Sequence, residues 1–270
     1  MTEMTIQTLL VTTDQTDYSL PERLNLQTDS LIGNQCNRDS IETWSYFGHR
    51  VEYINATDRG VGKNRNRLLE RADADLLILA DDDMRFVDNY PQIALEAVRL
   101  CGCADVYVFN LIEKNPQRYV NHRVKRIGRT NYARYGAARL MLRRESIEKA
   151  GIQFSLEFGG GAKYGSGEDT IFLHECIDRG LKVFAVPLAL AEIDQEATST
   201  WFSGYHKHFF EDKGALYACL YPKCWSIMAF RFLLVHYKSF HTDLPFTFAY
   251  LAMLTGGTSY RAEKRDSHEI

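Results

Sequence analysis

A run of five apolar residues that leads straight into three aspartates limits what this chain can fold into. The run is Leu76–Ala80, and Asp81, Asp82 and Asp83 follow it without a break. A continuous apolar run of this length is typical of a strand buried on both faces, as in a parallel sheet covered by helices. The end of such a strand lies at the edge where open α/β sheets bind their ligands. The sequence therefore predicts an α/β fold with a site at the three aspartates.

Short apolar runs alternate with helical segments over most of the chain, which is the order expected of an α/β protein. Strands are predicted at Ile6–Thr12, Ser30–Gly33 and Arg50–Ile54, a helix at Lys63–Ala72, and a further helix and strand between Thr170 and Pro187. After Pro222 we expect two helices, near residues 223–239 and 244–256, and then a frayed charged tail. The predicted division is a larger domain over residues 1–210 and a C-terminal helical extension over residues 211–270.

The three aspartates have the residue types and the spacing of a site for a hard divalent cation. In an extended segment, residues i and i+2 point the same way, so Asp81 and Asp83 can converge on one ion. Adjacent carboxylates repel one another unless a cation neutralises them. Mn²⁺ and Mg²⁺ often take one or two carboxylates together with substrate phosphates. The sequence therefore predicts a Mn²⁺ or Mg²⁺ site that binds a diphosphate, and the alternative is an acidic loop or helix cap.

A glycine-rich loop and a basic turn are the other candidate sites. The loop reads GGGAKYGSGED and ends in Glu168 and Asp169, where a carboxylate could act as a base or could equally cap the following helix. The turn reads RGVGKNRN and carries Arg59, Lys63 and Arg65, which could bind phosphate beside a helix N-terminus. It lacks the P-loop pattern, and no GxGxxG follows the first strand, so a Rossmann dehydrogenase does not fit.

Over roughly residues 5–220, these stretches make the chain resemble a family 2 glycosyltransferase of the GT-A fold. The matching segments are RGVGKNRN, LILADDDM, GSGEDTIFL and GLKVFAVP. The likeness is greatest to bacterial enzymes that build capsular or exopolysaccharide repeat units. The resemblance implies a mixed, mainly parallel sheet flanked by helices, with residues 1–210 as the catalytic domain. It also implies a metal-dependent transfer that inverts the anomeric carbon of the sugar.

The resemblance gives a role to each candidate residue. Asp81 and Asp83 would be the DxD pair that holds the metal, and Asp169 would be the catalytic base with Glu168 beside it. The nucleotide-sugar contacts would come from Thr12, Thr13, Asn37, Arg59, Lys63, Arg65, Asp81 and Asp82. The acceptor pocket would come from Gly160, Gly161, Tyr164 and Trp201.

Two departures from the family pattern bear on the substrate. Many relatives carry an aspartate that faces the nucleotide base, where this chain has Asn37. An amide carbonyl can still accept from uracil, so a UDP-linked donor is expected. The QxxRW motif of processive members is missing, which implies one sugar per encounter. We therefore expect transfer of one sugar from a nucleotide-diphosphate sugar to a hydroxyl of a glycan or lipid-linked acceptor in polysaccharide biosynthesis.

Two other classes of protein stay open as alternatives. A sugar-nucleotide nucleotidyltransferase shares the α/β fold and the carboxylate–metal chemistry. That class opens with a glycine-rich loop after the first strand, whereas this chain has no glycine before Gly33. A non-catalytic carbohydrate-binding scaffold would need neither three carboxylates at a buried strand end nor a GED.

Charge and cysteine usage bear on partners and location. The net charge is -3, from 32 basic and 35 acidic side chains, which excludes a generally basic nucleic-acid binder. The six cysteines lack zinc-site spacing and the N-terminus lacks the pattern of a signal peptide. We therefore expect a cytoplasmic protein with reduced thiols.

Two apolar stretches near the C-terminus, Trp225–Tyr237 and Leu244–Leu254, are too short to span a bilayer. Lys223, Arg231 and Lys238 fall eight and seven residues apart, on one face of a helix. Residues 114–149 also carry eleven basic and only two acidic side chains. Two interpretations stay open: peripheral docking on the anionic inner leaflet of the membrane, or a helix pair that packs only on protein.

Overall fold

The computed structural model describes residues 4–113, 119–193 and 204–266, which divide between two compact units. The first unit holds the described residues of 1–156 and 168–198. The second holds those of 157–167 and 199–270. The glycine-rich loop belongs to the second unit except for Glu168 and Asp169, which begin a helix of the first.

One mixed sheet forms the first unit, with ten strands in the described part of the chain. The strands are β1 (Ile6–Thr13), β2 (Asp29–Gln35), β3 (Ser40–Tyr46), β4 (His49–Ala56), β5 (Leu76–Asp81), β6 (Met84–Phe86), β7 (Val106–Ile112), β8 (Lys125–Ile127), β9 (Leu140–Arg143) and β10 (Val183–Ile193). Their order is β3-β4-β2-β1-β5-β9-β7-β10-β6, and β8 pairs with β10. Strands β1, β2, β4, β5, β7 and β10 share one direction and the other four oppose it.

Both faces of the central strands are buried, which explains the unbroken apolar run of β5. Leu77 and Leu79 belong to one core cluster, while Leu76 and Ile78 belong to a second cluster. Each of these four side chains is at most 1% exposed. Because successive residues of a strand point to opposite faces, a strand with helices on both sides needs an apolar residue at every position.

Five α-helices of the first unit are described: α1 (Leu20–Arg23), α2 (Val61–Arg71), α3 (Tyr90–Leu100), α4 (Arg144–Ala150) and α5 (Glu168–Asp178). Helix α2 starts after Gly60, whose φ of +124° lies where residues with a side chain are strained. A Cβ added at Gly62 would overlap the carbonyl oxygen of Ser155. The second glycine of the RGVGKNRN turn therefore allows close packing of α2 on a neighbouring loop.

Helices α6 (Lys207–Leu220), α7 (Trp225–Phe240) and α8 (Phe246–Asp266) form the second unit. They enclose a core that contains Phe210, Leu233 and Met253. The domain boundary predicted between residues 210 and 211 falls inside α6. No described helix is both long and apolar enough to cross a membrane.

The predicted frayed tail is wrong for residues 261–266, which continue α8. Two ion pairs within the second unit explain the extra turns. Lys264 pairs with Glu157, and Glu263 pairs with Lys163. The charges that suggested a solvated tail therefore hold the end of the helix against the loop over residues 157–167.

Candidate functional site

Polar side chains collect where the parallel strands β1, β2, β4 and β5 end. Thr12 is paired in register with Asn34, and Asn34 is paired with Asn55. The amide of Asn34 donates to Asn55 Oδ1 at 2.8 Å, and both side chains are buried. Asp81 ends β5 at the same edge, in register with Val11. The carboxyl edge of the sheet is therefore polar. Asp81 lies at this edge, as the sequence predicted.

The three aspartates form a tight turn between β5 and β6. Asp81 is the last residue of β5, and Asp82 and Asp83 make the turn before Met84 opens β6. The hydroxyl of Thr12 donates to the Asp82 carboxylate. The side chain of Asp83 is exposed. The turn thus fixes Asp82 on the first strand and presents Asp83 to solvent.

Arg65, in the first half of α2, contacts two separate parts of the site. Its guanidinium donates to Asp81 Oδ1 at 2.7 Å and to Glu168 Oε1 at 3.1 Å. Its side chain is only 6% exposed, and it lies over the ring of Phe154 at 5.3 Å. One buried cation therefore joins the aspartate turn to the start of α5.

Burial and the charges of the ion-pair partners have opposite effects on the pKa values of Arg65 and Glu168. Burial alone would lower the pKa of Arg65, but the carboxylates of Asp81 and Glu168 outweigh it and raise that pKa above its usual value. Burial raises the pKa of Glu168, and the neighbouring Asp169 carboxylate raises it further, although Arg65 opposes both. Glu168 therefore takes up a proton at a higher pH than an ordinary glutamate does.

Asp169 lies next to Glu168 but has different neighbours. Its Oδ1 accepts from the backbone N–H of Thr170 at 2.6 Å, at the beginning of α5. Its Oδ2 faces Gly136, where an added Cβ would lie 3.3 Å away. The carboxylate is thus fixed at one oxygen and borders a position without a side chain at the other. This arrangement suits either of the predicted roles, a base or a helix cap.

The other predicted contacts of the nucleotide are already paired with protein groups. Arg59 binds Asp14 at 3.0 Å and the carbonyl oxygen of Gln35 at 2.8 Å, and it reaches Asn37 Oδ1 at 3.4 Å. Lys63 pairs with Asp58 at 3.0 Å. Thr13 accepts from the amide of Gln35 at 3.4 Å. Arg59 and Lys63 are about half exposed and flank the carboxyl edge, whereas Arg65 is buried in the protein.

The predicted residues of the acceptor pocket belong to the second unit or fall outside the described residues. Tyr164 is buried and stacks on Phe158, with their ring centroids 4.7 Å apart, and Tyr260 lies at 5.8 Å from it. Gly160 is buried, and Gly161 is exposed with a φ of +76°. Trp201 lies outside the described residues.

The donor set at the aspartate turn fits a divalent cation that also binds phosphate oxygens. Within the described residues, no three His, Cys, Asp or Glu side chains converge on a metal position. Asp83 offers an exposed carboxylate, and the hydrogen bonds from Arg65 reach only Oδ1 of Asp81. A cation with one or two protein carboxylates, completed by diphosphate and water, matches this arrangement, and an all-protein cage does not.

Sequence reasoning missed two parts of this edge. Gln35 accepts from the backbone N–H of Gly60 at 2.5 Å and so ties β2 to the start of α2. Arg139 and Glu113 form a buried pair at 3.6 Å, and Arg139 also donates to the carbonyl oxygen of Phe109 at 3.4 Å. The change from apolar to polar residues at the end of β2 is the sequence signal that could have identified Gln35 as a site residue. Arg139 was hidden among the many basic residues of its segment.

Comparison with known proteins gives a match in structure alone. No protein-family model and no curated protein matches the sequence. The chain is similar in structure to S. aureus TarS 1-349 in complex with UDP-GlcNAc, with a TM-score of 0.61 and 13% identity, over 89% of this chain and 74% of that one. The same fragment in complex with UDP gives a TM-score of 0.57 at 13% identity, with the same coverage of both chains. TarS itself gives 0.59 at 12% identity, over 89% of this chain and 45% of that one. The predicted fold class, a GT-A type mixed sheet flanked by helices with a C-terminal helical region, is confirmed.

Proposed function

We propose that this protein is an inverting, metal-dependent glycosyltransferase that moves one sugar from a UDP-linked donor to a hydroxyl of a glycan or lipid-linked acceptor. The observation that carries the proposal is the pairing of Arg65 with both Asp81 and Glu168 at the carboxyl edge of the sheet. The edge thereby brings together a carboxylate turn suited to a metal–diphosphate and a pair of carboxylates suited to proton transfer. Similar structures in complex with UDP-GlcNAc and with UDP support the choice of donor.

The chain's own residues have distinct parts in this reaction. Asp83 and Asp81 would hold a Mn²⁺ or Mg²⁺ ion, which supplies charge neutralisation to the departing diphosphate. Arg59 and Lys63 are exposed enough to exchange their acidic partners for phosphate oxygens. Asp169 takes the proton from the acceptor hydroxyl as that hydroxyl attacks the anomeric carbon. Arg65 keeps the turn and the start of α5 in fixed positions, which is a positioning role.

Thermal unfolding in the presence of nucleotide sugars tests the donor. A ligand at about 100 times its Kd stabilises the folded state by about 2.7 kcal/mol, which raises Tm measurably. We expect UDP-sugars with Mn²⁺ to raise Tm, and GDP- and dTDP-sugars to have less effect. Arg126→Gln is a control variant that should show the same rise in Tm as the parent protein. Its side chain is exposed and makes no ion pair in the described residues.

Product analysis separates the proposed reaction from its nearest alternative. Incubation with the stabilising UDP-sugar and an acceptor mixture should release UDP and leave the sugar on an acceptor or on water. Release of pyrophosphate from UTP and a sugar 1-phosphate would instead identify a nucleotidyltransferase. Absence of stabilisation by every nucleotide sugar, with and without metal, would contradict both enzymatic functions.

A further inference from the structure

Helix α7 has an apolar face that packing within its unit does not explain. Ala229, Leu233 and Phe240 have no exposed surface and join the core of the second unit. Ile227 and Leu234, on the opposite side of the helix, are 68% and 58% exposed. The helix is therefore apolar on two sides, of which only one is buried by α6 and α8.

The exposed side combines apolar and cationic residues in one stripe. Ile227, Arg231, Leu234 and Lys238 follow one another at spacings of four, three and four, which places them on one face of a helix. Val235 and Phe230, both exposed, flank the stripe. Phe230 also contacts Phe246 and Tyr250 of α8, with centroid distances of 5.5 and 5.4 Å. We call Ile227, Phe230, Arg231, Leu234, Val235 and Lys238 the α7 outer face.

The charge on this face has one sign. No acidic residue occurs between Gly214 and Thr242, whereas Lys223, Arg231 and Lys238 fall in that interval. Arg231 and Lys238 are exposed and make no ion pair in the described residues. Large exposed apolar side chains interleaved with unpaired cations match an anionic bilayer surface, where the apolar groups enter the acyl region and the cations meet lipid phosphates.

We propose that the α7 outer face docks this protein on an anionic lipid bilayer. Helix α7 has 16 residues and is therefore about 24 Å long, so it would lie in the plane of the interface and not cross it. The long stems of Arg231 and Lys238 can lie along apolar surface while their charges stay among the headgroups. This inference does not depend on the proposed reaction, because it rests only on the second unit.

Vesicle flotation tests the docking. Vesicles of phosphatidylcholine alone and of phosphatidylcholine with phosphatidylglycerol distinguish general lipid binding from anionic recognition, and low and high NaCl report the electrostatic part. We expect flotation with the anionic vesicles alone, reduced at high salt. Leu234→Asp should weaken binding about tenfold, since it replaces an inserted apolar group with a charge. Arg231→Glu with Lys238→Glu should weaken it by more than tenfold.

A matched control and a competing occupant complete the test. Phe47→Asp changes an exposed apolar residue of the first unit, which is 87% exposed, and should leave flotation unchanged. If a variant at position 234 fails to fold by circular dichroism, Ile227→Ser with Leu234→Ser replaces it. If every α7 variant floats with the anionic vesicles as well as the parent protein does, the proposal is overturned. Absence of vesicle binding also overturns it, and sedimentation that finds a dimer lost in Leu234→Asp would make a second copy the occupant.

Discussion

Arg65 and Glu168 are in contact at 3.1 Å although 103 residues separate them in the sequence. The contact joins the RGVGKNRN turn to the GED segment, and the second donor group of Arg65 reaches Asp81 at the end of β5. Three motifs that are far apart in sequence thus meet at one buried guanidinium. The resemblance assigned Arg65 to the nucleotide, and in the structure its guanidinium is buried and pairs with two carboxylates.

Replacing Arg65 should destabilise the fold. Arg65→Met keeps the side-chain volume but leaves Asp81 and Glu168 without their shared cation. Removing one partner of a buried ion pair typically costs about 3 kcal/mol. Urea unfolding measures this loss, and Arg126→Met, which removes an exposed cation, should stay within about 0.5 kcal/mol of the parent protein. Equal stabilities for the two variants would contradict the structural role of Arg65.

The contact between α2 and the segment at Ser155 should also be sensitive to a single methyl group. Gly62→Ala would place a Cβ against the backbone carbonyl of Ser155, which cannot rotate away. We expect a loss of about 1–3 kcal/mol, as for other overpacked sites. Gly128→Ala is the matched control, because nothing lies within 4 Å of an added Cβ there. A comparable change in Tm for both variants would mean that the backbone at Ser155 can move away from the added Cβ with little loss of stability.

The parts of the fold that the sequence predicted are those set by short-range pattern. The apolar run of β5 was located to within one residue, because a doubly buried strand admits no polar position before Asp81. Strand β3 was not predicted, since it is partly exposed along its length and pairs with β4 on one side only. The partners of Arg65 could not be predicted either, because contacts over 16 and 103 residues leave no local pattern.

Metal dependence should reside in the exposed member of the aspartate turn. Asp83→Ala removes an exposed carboxylate from the turn, so we expect UDP to lose its Mn²⁺-dependent affinity. Asp82→Ala, which removes the acceptor for Thr12, should lower stability instead. Calorimetric titration of UDP with and without Mn²⁺ measures the affinity of each variant, and urea unfolding measures the stability of Asp82→Ala. UDP affinity that is independent of Mn²⁺ in the parent protein and in Asp83→Ala would exclude the metal role.

The raised pKa of Glu168 predicts a specific pH dependence of stability. The folded protein binds this proton more tightly than the unfolded chain, whose Glu titrates near 4.5, because burial and Asp169 disfavour the carboxylate. The stabilising contribution is therefore complete below pH 4.5 and is lost as the pH rises through the folded-state pKa. Glu168→Gln lacks this titration, so its free energy of unfolding should rise relative to the parent protein as the pH increases from 4.5 through the folded-state pKa of Glu168.

Urea unfolding at several pH values measures this difference. Glu145→Gln provides a control of opposite sign, because the hydrogen bond from Lys149 lowers the pKa of Glu145 in the folded state. Its stability relative to the parent protein should stay nearly level above pH 4.5 and rise slightly as the pH falls below 4.5, where the parent loses this contribution. A Glu168→Gln difference that does not change with pH would mean that the folded and unfolded states bind this proton equally.

Transfer rates should distinguish the roles of the two carboxylates at the start of α5. Asp169→Asn keeps the shape of the side chain and its acceptor oxygen for Thr170, but it cannot take a proton from the acceptor hydroxyl. We expect a loss of about 10²–10⁴ in single-turnover transfer, the usual contribution of a general base. Donor affinity should barely change, because the diphosphate site that we propose is the aspartate turn and not Asp169. Glu168→Gln still accepts a hydrogen bond from Arg65, so it should cost less.

Comparing the two variants decides which carboxylate is the base. A large loss in Glu168→Gln with little change in Asp169→Asn would reverse the assignment, and the raised pKa of Glu168 would then make it the stronger base of the two as a free carboxylate. The pH profile gives a second measure, because the acidic limb of the single-turnover rate should vanish in the variant that lacks the base. If neither variant loses rate, the pair only caps α5, and the proton leaves the acceptor by another route.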